Sequence, residues 1–253
     1  MSKQSQIWRV FSDIIPEEGL SVTITGNEHH YVRNVLRLRI NESAEIADGH
    51  GTIAQSALES CDKNESRFKI VTRISQALPQ SQAILVVGLP KPSALDELIS
   101  VVAELGAFEI HLVKCDLSQN KQEIRLDRLA KIARESLRIS KNPWEPTIFV
   151  HANIRETKEA TASALSFLCD ESPIYEGRGN ILNHLAAALS QAKAQGKVAV
   201  FVGPEASFSD NERDIITKEI GAVSVSLGAS ILRTPTASAS AIAITLSHFA
   251  SNN

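Results

Sequence analysis

Two stretches, AILVVGL at 83–89 and KVAVFVG at 197–203, are apolar at nearly every position. A strand with no polar face is one buried on both sides, as in a parallel sheet with helices packed on each surface. The first run is followed by LDELISVVAELG, whose apolar residues recur at helical spacing and which Gly106 closes, and then by FEIHLVKC, a second strand. Strand, helix and strand in that order require an α/β domain. Upstream the pattern changes to period two. SVTIT, SAEIADG, GTIAQSAL and RFKIVTRI alternate apolar and polar residues and spell a small β-barrel. One helical segment, NEHHYVRNVLRLR, interrupts it, with Val32, Val35 and Leu36 expected on one face. The change of pattern falls between Leu78 and Gln82, so residues 1–78 and 79–253 are read as two domains.

Further signals lie toward the C-terminus. Ser209 to Glu212 spell a capping box, and the helix ERDIITKEI stops at Gly221. AVSVSLG is the next strand, and Thr234 with Pro235 reads as an N-cap followed by proline at the first helical position. Two strands ending in glycine, at Gly203 and Gly228, are expected side by side, where the missing Cβ would let a ligand approach the backbone. No dinucleotide fingerprint or phosphate-binding loop occurs near a suitable strand, and there is no serine-hydrolase elbow.

The charge balance limits the partners. With 26 basic and 29 acidic residues the formal charge is −3, so any contact with a nucleic acid must come from a local patch. Arg125, Arg128, Lys131, Arg134 and Arg138 recur every three or four residues and form a stripe on one helix face. Arg33, Arg37 and Arg39 offer a second cationic surface, and together the two suit a phosphate backbone. His29 and His30 are candidates for RNA contact or metal binding, although adjacent residues do not share a helix face. Cys61, Cys115 and Cys169 lie far apart with no C-x-x-C pair, which argues against a disulfide framework and a cysteine zinc site and fits a reducing compartment. The sequence shows neither a signal peptide nor an apolar run of the ~18 residues that a membrane span needs. A cytoplasmic protein with no membrane partner is expected.

In order along the chain, HHYVRNVLRLR, ADGHG, AELGAFEIHLV, VGPEASFSDNE and SLGASILRT resemble the RsmE family of ribosomal RNA uridine N3-methyltransferases, within the SPOUT class. The resemblance spans nearly the whole chain. It implies an N-terminal PUA-like barrel, a C-terminal α/β domain with a deep trefoil knot, and a homodimer. S-adenosyl-L-methionine is the implied cofactor, with no metal, and ribosomal RNA or the small ribosomal subunit the implied partner. The implied reaction is N3-methylation of a uridine in 16S RNA.

Carried onto this chain, the resemblance places the cofactor against Val202, Gly203, Pro204, Glu205, Leu227, Gly228, Ile231 and Leu232. Arg233 and Glu205 are the implied catalytic residues. Arg33, Arg37, Arg128, Lys131, Arg134 and Arg138 would hold RNA. The family's Gly-Pro-Glu-Gly-Gly is Gly203 to Ser207 here, with Ala206 and Ser207 in place of the last two glycines. Its Leu-Arg-Thr-Glu-Thr-Ala becomes Leu232 to Ala237, with Pro235 for the glutamate. Further departures fall at Val101, Leu117, Ile139 and Asn142. A knotted dimer that binds the cofactor or RNA without transferring a methyl group, or one that methylates another RNA position, would also account for them.

Overall fold

The structure is a computed structural model, described here for residues 7–118, 123–170, 184–192 and 196–251. It divides into two compact units. Met1–Leu78 with Leu137–Glu145 form the first, and Pro79–Ser136 with Pro146–Asn253 the second.

The first unit is a five-stranded sheet of β1 (Trp8–Phe11), β2 (Ser21–Thr25), β3 (Ser43–Ala47), β4 (Thr52–Cys61) and β5 (Glu65–Ser75), in the order β1-β3-β4-β5-β2. Only β1 and β3 run parallel; the other pairs are antiparallel. Alternation decides the core: Val22 and Ile24 of β2, and Phe68 and Ile70 of β5, point inward against Val10, Ile46 and Leu58. The helical interruption begins as α1 (Gly26–His30) and widens into a π-type turn over Tyr31–Leu36. That widening rotates Val35 off the face expected from α-helical spacing. Val32 is fully buried, but Val35 is exposed.

Arg9 is buried in this unit. Its Nε lies 2.7 Å from Glu45, and its terminal nitrogens donate to the carbonyls of Leu137, Lys141 and Asn142 at 3.2, 2.8 and 2.6 Å. These carbonyls lie at and just beyond the end of α3 (Leu126–Ser140), where a helix leaves acceptors unsatisfied and a cation is favoured.

The second unit contains a six-stranded parallel sheet: β6 (Gln82–Gly88), β7 (Glu109–Val113), β8 (Thr147–His151), β9 (Leu165–Cys169), β10 (Lys197–Val202) and β11 (Val223–Val225). Their order is β11-β9-β10-β6-β7-β8. Ile84, Leu85, Val86 and Val87 of β6 are fully buried, and each such side chain contributes about 1.5–3 kcal/mol relative to exposure. The helices are α2 (Pro92–Leu105), the greater part of α3, α4 (Thr157–Thr161), α5 (Leu185–Ala192), α6 (Asp210–Asp214) and α7 (Thr234–Ser251). Gly106 ends α2 in the left-handed region, with φ 103°. Ser209 and Glu212 form the reciprocal capping box at the start of α6.

Strand order corrects one expectation. β9 lies between β10 and β11, so Gly203 and Gly228 do not follow adjacent strands. The glycine beside Gly203 is Gly88, at the end of β6. Connections leave β6 and β10 in opposite directions, toward β7 on one side and past β9 on the other. This makes their carboxyl ends a topological switch point, the usual place for a ligand crevice in a parallel sheet.

Candidate functional site

Four contacts fix the loop leaving β10. Pro204 crosses the end of β6 so closely that a Cβ on Gly88 would lie 2.3 Å from its Cδ. Ser207 N–H donates to the Pro204 carbonyl at 2.8 Å and closes a tight turn. Gly203 faces that turn, and a Cβ there would stand 3.0 Å from Cα of Ser207. The Thr234 hydroxyl donates to the Gly203 carbonyl at 3.1 Å.

Thr234 therefore does not act as the N-cap of α7. The Arg233 carbonyl accepts the first helical bond, from Ala237 N–H at 2.8 Å, so the helix starts one residue earlier than its sequence suggests. This puts Arg233 at the mouth of the helix.

Two adjoining spaces open at the carboxyl ends of the strands. The larger, about 750 Å³, is walled by Val202, Gly203, Pro204 and Glu205 on the β10 side and by Ile231, Leu232 and Arg233 on the other. The smaller, about 340 Å³, is bounded by Leu227, Gly228, Ser226 and Asp170. Cys169, Leu232 and Ala237 border both. All the residues expected to hold a cofactor, and both expected catalytic residues, thus gather in one region. Gly228 has φ +141°, and nothing stands within 4 Å of where its Cβ would be. Ser226 Oγ accepts its N–H at 3.0 Å and fixes the turn.

The two expected catalytic side chains differ in their engagement. Arg233 is largely exposed, and its nearest carboxylate is Glu97 at 3.9 Å. Glu205 Oε1 accepts the Lys91 N–H at 2.9 Å, which ties the loop to the start of α2. Burial, reinforced by the Asp170 charge, pushes the Cys169 thiol up to about 12. It stays protonated at neutral pH and is not a nucleophile.

Several side chains that shape this region carried no motif. Cys169 ends the run LSFLC and Asp170 follows it, a run that could have been read as a buried strand ending at the crevice. Ser207, Ser226 and Thr234 act through hydroxyl or backbone bonds that periodicity does not register.

The expected RNA-binding residues fare unevenly. Arg33 and Arg37 are exposed on the first unit, with Arg33 donating to the Asp62 carbonyl. In the second unit Lys131 is exposed, Arg134 half-buried, and Arg128 paired with Asp96. Arg138 is a correction. Its guanidinium lies over the rings of Phe11 and Tyr31, at 4.9 and 4.3 Å, and bonds Glu28 and the Arg9 carbonyl. An arginine so enclosed is a structural cation of the first unit, not a phosphate contact. On the same helix Leu129, Ala133 and Leu137 are buried, and Leu126 at its start is exposed.

His29 is also structural: it is buried, with Nδ1 2.8 Å from Ser66 Oγ. His30 is exposed and bonded to Asn34. Among the described residues, no group of three or more His, Cys, Asp or Glu side chains could hold a metal ion, and no helix is long and apolar enough to cross a membrane.

Comparison with known proteins agrees with this geometry. Ribosomal RNA small subunit methyltransferase E of Synechocystis sp. is 28% identical over 239 residues, covering 91% of this chain and 75% of that protein. The protein of the same name from Bacillus subtilis is 26% identical over 229 residues, covering 87% and 88%. The crystal structure of ribosomal RNA small subunit methyltransferase E from Neisseria gonorrhoeae, bound to S-adenosyl methionine, superposes with a TM-score of 0.82 at 22% identity. It covers 95% of this chain and 97% of that one, and establishes the shared fold. Residues 24–71 match the family described as RNA methyltransferase PUA domain. Residues 76–246, which include the whole of the cleft, match the RNA methyltransferase domain, and the chain belongs to that RNA methyltransferase family.

Proposed function

We propose that this RNA methyltransferase uses S-adenosyl-L-methionine to methylate N3 of a uridine in the RNA of the small ribosomal subunit. The observation that carries the reading is the cleft itself, assembled from the segments that follow β9, β10 and β11, with an exposed arginine at its mouth. The residues present fit the cofactor. Val202, Ile231 and Leu232 supply apolar walls, and the open space beside Gly228 leaves backbone accessible to a nucleoside. When bound, the sulfonium cofactor supplies an already activated methyl group.

The chain's own residues then align and stabilise. A uracil imide must lose its proton to become a nucleophile, and negative charge develops on its carbonyl oxygens. Arg233, exposed at the mouth and paired only loosely with Glu97, is the cation that would stabilise that charge. Glu205 is the candidate proton acceptor. Its Oε1 is occupied by the Lys91 N–H, and Oε2 takes no part in that bond. Arg33, Arg37, Arg128, Lys131 and Arg134 would contact phosphates, which orients an RNA without reading its sequence. A trefoil-knotted homodimer in the cytoplasm is the proposed working form.

Calorimetric titration with S-adenosylmethionine and S-adenosylhomocysteine, followed by methyl transfer to small-subunit RNA, tests the reading. Saturable binding and N3-methyluridine in the product are expected. Absence of binding to either ligand by the folded protein would overturn it. A second reading, binding without transfer, is favoured by Glu205 already serving Lys91 and by Pro235 standing where the family has glutamate. Tight cofactor and RNA binding with no product would select it.

A further inference from the structure

Ser207 has φ +64°, in the left-handed region where a side chain is disfavoured and glycine is the usual occupant. It is also one of the two positions at which this chain replaces a glycine of the resembled pattern. Something must compensate a serine there, and one side chain touches it. Arg213, from α6, donates through Nη2 to Ser207 Oγ at 2.8 Å and through Nε to the Phe208 carbonyl at 3.2 Å. Its Nη1 pairs with Asp170 Oδ1, and both side chains of that pair are largely buried.

These three contacts have a common geometry. Ser207 borders the larger part of the cleft and Asp170 the smaller. One planar guanidinium therefore joins the end of β9 to the loop after β10, two of the segments that line the cleft. Phe208 O and Ser207 Oγ are fixed by donors of a single rigid fork, which lysine could not supply.

We propose that Arg213 is a positioning residue of the cofactor cleft: it holds Ser207 in its left-handed conformation and so fixes the loop from Gly203 to Phe208 against Asp170. The inference rests on the cofactor reading above and adds a side chain outside the loop to it. It predicts that the requirement for arginine at 213 depends on the residue at 207. Glycine at 207 adopts the same backbone without support, so the two positions are coupled and their effects are not additive.

The test is calorimetric titration of the full chain with S-adenosylmethionine, in wild type, Arg213→Ala and the double variant Arg213→Ala with Ser207→Gly. Arg213→Ala should weaken binding about tenfold, as expected for removal of one well-placed polar anchor. The double variant should recover part of that loss, the share owed to the left-handed backbone at 207, while the pair with Asp170 stays broken. Recovery separates positioning from a general loss of fold, because a second substitution would not repair a collapsed domain. Equal affinities for wild type and Arg213→Ala, or a loss that glycine at 207 does not repair, would overturn the inference while leaving the cofactor reading intact. No heat with the wild type would overturn the cofactor reading itself. Should Arg213→Ala fail to fold by circular dichroism, Ser207→Ala replaces it: binding several-fold weaker supports the brace, and unchanged binding overturns it.

Discussion

Thr234 and Gly203 are joined by a hydroxyl-to-carbonyl bond of 3.1 Å that connects the first turn of α7 to the end of β10. Thr234 is buried and Gly203 half-buried, so loss of the hydroxyl removes the Gly203 carbonyl's partner. Thr234→Val should cost about 1–3 kcal/mol, the price of an unmade buried hydrogen bond. Thr234→Ser should cost markedly less. Urea unfolding of the two variants side by side checks this, and equal losses would refute the role given to the hydroxyl.

Gly88 should tolerate no side chain. The nearest atoms to its hypothetical Cβ are Cδ and N of Pro204, at 2.3 and 2.7 Å, and neither can move without the loop. Gly88→Ala is expected to destabilise the protein by about 1–3 kcal/mol through overpacking and to weaken cofactor binding as Pro204 shifts. Thermal melts and ligand titration report the two effects separately.

Arg233→Ala should leave the cleft formed, since the side chain is largely exposed, and its effect should fall on the chemical step. Loss of one stabiliser of developing charge typically lowers turnover about 100-fold or more. Single-turnover methyl transfer with saturating cofactor measures it. Undiminished turnover would remove Arg233 from the mechanism.

Arg9→Ala should be among the most damaging substitutions in the first unit. It leaves Glu45 without its partner and removes a donor from three carbonyls around the end of α3, of which Leu137 keeps the Lys141 N–H at 3.1 Å. Breaking a buried pair in this way costs about 3–5 kcal/mol. The expected result is a large drop in melting temperature, with Arg9→Lys recovering only part because it cannot fork between carbonyls.

Stability should fall on acidification through a histidine pair away from the cleft. His111 Nδ1 lies 2.9 Å from His151 Nε2, and His111 Nε2 lies 3.0 Å from Glu109. Burial lowers the affinity of both rings for protons, outweighing the favourable contact of His111 with Glu109. The unfolded chain, with ordinary histidines near 6.5, therefore binds protons first as pH drops. Stability is full above that value and declines below it until the folded-state histidines also titrate. Urea denaturation at stepped pH should show this slope, and His111→Gln should flatten it.

The strong parts of this architecture were legible because they rest on local rules. β6 and β10 announce themselves as unbroken apolar runs, Gly106 ends α2, and Ser209 with Glu212 caps α6. The two cleft walls that bear Gly203 and Gly228 were readable for the same reason. Sequence failed where a partner distant along the chain decides the outcome. Arg138 reads as one cation of a stripe, and Arg9 carries no signal, until Glu28, Glu45 and carbonyls around the end of α3 are brought to them. Strand order was equally hidden, since nothing in LSFLC says that it slots between β10 and β11. Val35 was misplaced because a π-type turn alters periodicity without any residue that signals it.

The parallel sheet also orders events during synthesis. On its β10 side, β6 has no strand neighbour until residues 197–202 have been made, and the cleft has no second wall until Leu227 to Ala237 follow. Pairings of such long sequence separation are slow to close. A chain still emerging from the ribosome thus carries a hydrophobic strand exposed along one edge and no binding pocket, and the pocket closes only once Leu227 to Ala237 have been made.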